Sequence, residues 1–237
     1  MVAKASWALP ALFAGMIGGA AVAGDVTAPA RHAPFALYGD GLSFEVLRDD
    51  VPVGTHTVSF SRDGDDMIVD ARFNLAIKFL GFTAYSMDYR SNARWRDGKL
   101  IALDARTDDE GAIKTVSARR DGPSLRIVAP DGSEGVAGDI LPTNHWNVAA
   151  TRQTEVLNTI SGRVNRVRMR DLGAETVVAE GREIEARRWT YTGELQNEVW
   201  YDRDGRWVKM RFQGKDGSTI EYVCTRCLGA SRSAADR

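Results

Sequence analysis

The chain has 237 residues, of which 43% are hydrophobic and 27% charged, with 31 Lys and Arg against 32 Asp and Glu. This balance argues against a dedicated nucleic-acid-binding protein, which normally has a strong basic excess, and the apolar content argues against wholesale disorder. Composition therefore predicts a soluble globular domain.

The first 23 residues have the pattern of a secretory signal peptide. Lys4 precedes a short apolar stretch, Trp7 to Val22, which ends on Ala21-Val22-Ala23. A basic start, an apolar core and an Ala-x-Ala exit are typical of a cleaved signal. The stretch is too weakly hydrophobic for a membrane anchor. We expect cleavage after Ala23, a location in the periplasm or outside the cell, and no transmembrane segment in the mature chain.

Alternation of apolar and polar residues dominates the chain from Gly41 onward. It is clearest from Met67 to Ile77 and from Tyr85 to Trp95, and a period of two predicts long, half-buried strands. Seven Asp-Gly pairs punctuate the sequence and favour the tight turns of β-hairpins. We therefore predict about a dozen antiparallel strands. Alternation of strands with long helices, as in a doubly wound parallel sheet, is not seen.

One segment departs from this pattern. Thr143 or Asn144 would cap a helix and Gly162 would end it. The residues at helical spacing are Trp146, Ala149, Ala150, Gln153 and Leu157. The predicted fold is thus mainly β: an antiparallel meander forming an open barrel or strongly curved sheet, with one helix, about residues 143–160, packed on it or closing it.

The domain organisation follows from these elements. We expect a signal peptide over 1–23, a flexible lead-in over 24–37, a single β-rich domain over 38–228 and a disordered tail over 229–237. Two β-subdomains, roughly 35–140 and 160–228, are the alternative.

The two cysteines, Cys224 and Cys227, are separated by two residues. In an exported protein such a pair most often forms a local disulfide. A redox dithiol is the alternative, although it usually has its first Cys at a helix N-terminus, whereas this pair follows a predicted strand. A zinc site needs about four ligands, and the chain has no second Cys pair. We therefore expect a disulfide, no metal and no cofactor.

A candidate ligand site lies in the segment Asn144-His145-Trp146-Asn147. An imidazole, an indole and amides at a helix start can bind an anion or a polar ligand head, and the alternative is a helix cap whose Trp anchors the helix to the sheet. Aromatic residues on predicted strands add an apolar lining or, alternatively, fill the interior. The candidate ligand-binding residues are His145, Trp146, Asn147, Tyr85, Tyr89 and Trp95. Catalytic signatures such as Gly-x-Ser-x-Gly are not found, so we name no catalytic residue.

Four segments in this order resemble a family of secreted proteobacterial proteins, domain of unknown function 6134. The segments are Arg94–Leu100, Thr107–Gly111, Asn144–Asn147 and Val199–Gly205. A more distant likeness is to family 3108, and the C-terminal strands are similar at fold level to periplasmic lipoprotein carriers of the LolA type. The resemblance covers about residues 38–224. It implies an all-β envelope protein and assigns no activity.

Three functions are compatible with these features. The first is an exported envelope protein that binds an apolar or amphiphilic ligand, a hydrophobic small molecule or lipid, in the concave face of the sheet. The second is a structural or interaction protein of the envelope, which contacts a protein partner through strand edges or the apolar tip 79–82. An enzyme with His145 as general base is the least supported, because spacing reveals no partnered nucleophile or acid.

Overall fold

The computed structural model describes residues 33–79, 82–130 and 132–229. The predicted signal peptide, the first part of the lead-in, residues 80–81 of the apolar tip and nearly all of the predicted tail lie outside the described residues. Within the described ranges the protein is mainly β, with fifteen strands in one sheet.

The elements are α1 (Ala33–Tyr38), β1 (Gly41–Arg48), β2 (Val51–Asp63), β3 (Asp66–Phe79), β4 (Phe82–Arg96), β5 (Lys99–Asp109), β6 (Ala112–Asp121), β7 (Ser124–Ala129), β8 (Gly132–Ala137), β9 (Leu141–Pro142), the 3₁₀ helix η1 (Val148–Arg152), β10 (Glu155–Leu157), β11 (Val164–Ala179), β12 (Arg182–Gly193), β13 (Asn197–Asp202), β14 (Trp207–Gln213) and β15 (Thr219–Arg226).

The sheet is built from two meanders joined by the pairing of β1 with β15. Its strand order is β8-β7-β6-β5-β4-β3-β2-β1-β15-β14-β13-β12-β11-β10-β9, and all neighbours are antiparallel except β9 and β10. The edge strands β8 and β9 are consecutive in the chain, with only residues 138–140 between them. Three residues bridge at most about 14 Å between the flanking Cα atoms. The sheet must therefore curl until its two edges lie close together, although hydrogen bonds do not close it.

Alternation places one face of the sheet in the core, as the sequence predicts. In β3, Val69, Ala71 and Phe73 are buried while Asp70 points outward and Arg72 is exposed. The predicted tight turns are also present: Asp97 and Gly98, between β4 and β5, have φ values of 53° and 77°. Two successive residues with positive φ define the turn whose twist matches a hairpin.

The predicted helix over 143–160 is wrong. Only η1 is helical there, capped by Asn147, and the chain returns to strand at β10. The apolar spacing that suggested a helix reflects burial instead: Trp146, Ala150 and Leu157 all face the core from an irregular segment. Thr and Asn side chains, which are common in this segment, favour local turns over helix.

The chain enters the sheet through helix α1, so the last residues of the expected lead-in are helical. Tyr38 ends this helix and is 1% exposed. Its hydroxyl donates to the carbonyl oxygen of Trp146 (3.0 Å) and accepts from the backbone N–H of Trp207 (2.8 Å). Tyr38 thereby ties the N-terminal segment to the segment before η1 and to the start of β14. In the described part of the chain, no helix has the length and apolarity needed to cross a membrane.

Candidate functional site

Trp146 lies inside the curled sheet and is 5% exposed. Its ring packs edge-on against the rings of Trp95 and Phe60, with centroids 5.4 and 5.5 Å away. These contacts fix segment 143–160 to strands β4 and β2. The arrangement is the one expected of a Trp that anchors the segment to the sheet.

His145 is also in the core, 6% exposed, rather than at the rim of an opening. Its ring lies against Tyr191 and Trp207, with centroids 5.6 and 5.4 Å away, and its Nδ1 is 3.5 Å from the Tyr191 hydroxyl. The hydroxyl of Tyr201 donates to the His145 carbonyl oxygen (2.9 Å). Burial lowers the pKa of His145 to about 4, because the imidazolium loses its hydration. The side chain is therefore neutral at neutral pH.

Three of the other candidate residues use their polar groups in internal hydrogen bonds. The Asn147 carboxamide oxygen accepts from the backbone N–H two residues further on (3.0 Å). Tyr85 donates to the Asp109 carboxylate (2.8 Å), and Tyr89 donates to the Thr159 hydroxyl (2.7 Å). The structure thus brings Trp95 and Trp146 together, whereas Tyr85 bonds to the end of β5 and Tyr89 to the turn after β10.

Several buried polar atoms have no hydrogen-bond partner among the residues that the structure describes. They include the indole Nε1 atoms of Trp95 and Trp146, Nδ2 of Asn144 and Nδ1 of His56. Burial lowers the pKa of His56 as well, and the neighbouring His145 adds to the shift. Because buried donors are normally paired, the two unpaired indole N–H groups of the touching Trp95 and Trp146 rings mark a polar part of the interior.

The two cysteines form a disulfide, as predicted. Glu180, from the turn between β11 and β12, lies beside it: its Oε1 accepts hydrogen bonds from the backbone N–H groups of Cys227 (2.7 Å) and Leu228 (2.8 Å). The two sulfur atoms and a Glu180 carboxylate oxygen all lie within 4.8 Å of one another. Sequence spacing missed Glu180 because it is far from the cysteines along the chain.

A groove of about 440 Å³ crosses strands β3 to β7 on the outer face of the sheet. Its floor is the backbone of a row of inward-facing residues, among them Ala71 and Ala105. One wall carries Arg72, Arg90 and Arg106, which are directly opposed on β3, β4 and β5. We call this set the arginine row. Neighbouring strands are about 4.8 Å apart, so three guanidinium groups occupy adjacent positions.

The two walls of this outer groove differ in how their charges are compensated. On the opposite wall Asp104 binds Arg119 through both carboxylate oxygens (2.8 and 2.7 Å), and Asp70 accepts from the amide of Asn92 (2.8 Å). In the arginine row, Arg106 is 3.6 Å from Asp108. Within the described ranges, Arg72 and Arg90 have no ion pair or side-chain hydrogen bond. They are the two arginines of the groove that form no ion pair within the described ranges.

A second concavity, about 600 Å³, lies on the outer face of β12 to β15 and is lined mainly by hydroxyl and amide side chains. Its guanidinium group, from Arg211, is already bonded to Glu198 (3.0 and 2.7 Å). This concavity therefore offers no uncompensated cation comparable to the arginine row.

Comparison with known proteins supports the fold and gives no activity. A family model described as "Domain of unknown function (DUF6134)" matches residues 44–225, which confirms the resemblance found in the sequence. Among solved structures, a beta-barrel-like protein of domain of unknown function DUF1849 from Brucella abortus is similar, with a TM-score of 0.56 and 11% identity. The match covers 79% of this chain and 95% of that one. At this identity the likeness shows the fold alone. No curated protein matches the sequence.

Proposed function

The chain belongs to the family described as domain of unknown function DUF6134, and we propose that it is an exported envelope protein that binds a phosphate-bearing ligand in the outer groove. The observation that carries the proposal is the pair Arg72 and Arg90, which are directly opposed, exposed and without an ion pair in the described part of the chain. Function is assigned here to the site and not to the fold, since one fold supports many functions.

Electrostatics explain why an anion would bind there. Like charges directly opposite on neighbouring strands destabilise a sheet, and two unit charges about 5 Å apart in water repel by about 0.8 kcal/mol. A bound phosphate relieves this repulsion and accepts the paired N–H groups of a guanidinium in the fork geometry that arginine favours. Thr115 and Asn92, which also line the groove, add hydrogen-bond donors. The Asp70 carboxylate on the other wall repels an anion and so directs it toward the arginine row.

The proposed location rests on two features of the chain. The first 23 residues have the pattern of a cleaved export signal. The paired cysteines are joined as a disulfide, a bond that persists mainly in oxidising compartments such as the periplasm. Together they support a periplasmic or secreted location.

Titration calorimetry with tripolyphosphate tests the proposed site. We expect binding that weakens with ionic strength, because salt screens exposed charges. The double variant Arg72→Gln/Arg90→Gln should bind about tenfold more weakly or worse, since one charge-assisted hydrogen bond contributes about 1.5–3 kcal/mol and 1.4 kcal/mol is a factor of ten. Vesicles of phosphatidylglycerol, used in place of tripolyphosphate, distinguish a lipid headgroup from a soluble phosphate compound.

The matched control is Arg168→Gln/Arg170→Gln. It likewise removes two positive charges, but from exposed positions on β11 that lie outside the groove. The control should bind tripolyphosphate as tightly as the wild type does. Equal weakening by both double variants would show a general charge effect and would overturn the proposed site, as would wild-type affinity in Arg72→Gln/Arg90→Gln.

The unpaired donors of the interior favour a second candidate function. In this alternative the sheet is an open barrel, segment 143–160 covers its concave face, and an amphiphilic ligand accepts hydrogen bonds from the indole N–H groups of Trp95 and Trp146. Native mass spectrometry of the protein purified from its own envelope tests this idea. A retained amphiphile supports it, and a bare chain in repeated preparations contradicts it. A bare chain would leave an interaction protein without a small-molecule ligand as the remaining alternative.

A further inference from the structure

The disulfide and Glu180 form a compact group of metal-ligand atoms that shares no residue with the outer groove. Cys224 and Cys227 are 2% and 0% exposed, while Glu180 is partly exposed and reaches the surface. Their sulfur and carboxylate oxygen atoms lie within 4.8 Å of one another. The residues come from two elements, the β11–β12 turn and the end of β15, so the sheet itself brings them together.

The backbone around the cysteines is held by contacts that do not involve sulfur. Glu180 accepts hydrogen bonds from the N–H groups of Cys227 and Leu228, and its own N–H donates to the carbonyl oxygen of Cys224 (2.9 Å). Strand β15 is further fixed by β1, where Phe44 pairs with Cys224. Because these contacts do not use sulfur, we expect them to persist when the disulfide is opened and to keep the two thiols close to each other and to the carboxylate.

Two thiolates and a carboxylate are ligands that suit zinc. Structural and catalytic zinc sites use Cys sulfur at about 2.3 Å and carboxylate oxygen at about 2.0–2.2 Å, in tetrahedral arrangement. Three protein ligands leave the fourth position to water. Oε1 of Glu180 is engaged by two backbone N–H groups, whereas Oε2 has, within the described ranges, an ion pair with Arg182 at 3.6 Å and no hydrogen bond. The carboxylate therefore keeps an oxygen for a metal ion.

We propose that Glu180, Cys224 and Cys227 form a redox-gated site for Zn²⁺, closed in the disulfide form and opened by a dithiol reductant. In the reduction, the dithiol gives two electrons and two protons to the Cys224–Cys227 bond and is itself oxidised to a disulfide, which leaves two thiols on the protein. Metal binding then displaces the two thiol protons and forms two metal–sulfur bonds. Ligand deprotonation makes the affinity rise with pH.

Cobalt(II) is the probe, because thiolate ligation gives it a charge-transfer absorption that carboxylate ligation does not. The full chain is reduced with dithiothreitol, desalted under nitrogen and titrated with Co²⁺, then back-titrated with Zn²⁺. We expect one equivalent of Co²⁺ with the thiolate band, displacement by Zn²⁺, and no band for the oxidised protein. Circular dichroism of the reduced chain checks that the sheet persists.

Two variants separate ligation by this cluster from adventitious thiol binding. Cys224→Ser/Cys227→Ser should lose the band entirely. Glu180→Gln keeps the size of the side chain and a hydrogen-bond acceptor but replaces the anionic ligand by a neutral amide. It should weaken Co²⁺ binding at least about tenfold, because loss of a group that merely supports a ligand already costs that much. Reduced wild type without a thiolate band, loss of the sheet on reduction, or unchanged affinity in Glu180→Gln would each overturn the proposed site.

Discussion

Acidification should destabilise the fold through His145. Its pKa is about 4 in the folded chain against an ordinary value of 6.5, so the unfolded chain binds a proton at a higher pH than the folded chain does. The stabilisation is complete above pH 6.5 and is lost as the pH falls toward 4. At pH 5, which is about 1.5 units below the ordinary pKa of 6.5, His145 is protonated in the unfolded chain and neutral in the folded chain. At 1.36 kcal/mol per unit, this protonation lowers the free energy of unfolding by about 2 kcal/mol.

The perturbation is His145→Gln, which cannot become cationic. Urea unfolding of the wild type and the variant at pH 7 and pH 5 gives four free energies of unfolding. The wild type should lose about 2 kcal/mol more between the two pH values than the variant does. The variant also loses ring contacts with Tyr191 and Trp207, but that cost is the same at both pH values and cancels in the comparison.

Other titrating groups near His145 do not imitate this effect. Burial raises the pKa of Tyr191 and, with it, that of Tyr201, so both hydroxyls stay neutral between pH 5 and 7. His56 also titrates with a lowered pKa, chiefly because it is buried and to a lesser extent because His145 is near. Burial acts on His56 in both proteins, so most of its effect on stability cancels in the comparison. An equal loss of stability in wild type and His145→Gln between pH 7 and pH 5 would refute the argument that burial keeps this imidazole neutral in the folded chain.

Three further predictions concern stability and are read from urea or thermal unfolding. Trp146→Ala should cost about 3–5 kcal/mol because it empties a buried indole site between Trp95 and Phe60, whereas Trp146→Phe should cost clearly less; equal costs would contradict this packing. Cys224→Ser/Cys227→Ser should cost less than about 3 kcal/mol, the value for a 15-residue loop, since this loop is far shorter; failure to fold would contradict it. Gly162→Ala should be more destabilising than Gly181→Ala. The two glycines have similar positive φ values, 76° and 72°, so the backbone strain is alike. A Cβ at residue 162 would lie 2.2 Å from the Cβ of Ala129, whereas a Cβ at residue 181 would have no neighbour within 4 Å. Equal effects would show that residue 162 does not pack on β7.

The sequence predicts the strands and turns because their signals are local. Alternation over Met67–Ile77 needs only neighbouring residues to be read, and the Asp97-Gly98 turn is set by the φ values that these two residues tolerate. The helix prediction for segment 143–160 is wrong because the contacts that determine its structure are not local. Its apolar residues face a core that surrounds it on several sides, so their spacing follows contacts with distant strands and not a helical period.

The candidate interior site could be predicted only in part. Trp146 and Trp95 come together as aromatic residues that line the same interior, but their burial depends on how far the sheet curls, which no local pattern encodes. The pairing of Glu180 with the cysteines likewise requires the order of strands in the sheet. Neither residue type nor spacing reveals that the β11–β12 turn meets the end of β15.

The arginine row depends on two irregularities of register. Counting back from Phe79 and Phe82 at the tip would set Arg72 against Tyr89, and counting from the Asp97-Gly98 turn would set Arg90 against Ala105. A shift between Ile77 and Lys78 and another between Arg94 and Trp95 each move the pairing by one residue. Because directly opposed residues share a face, only these shifts keep the apolar residues inward and align Arg72, Arg90 and Arg106 outward. The same bulges that preserve the core therefore create the charged groove, so a binding surface arises here from strand register and not from any motif of adjacent residues.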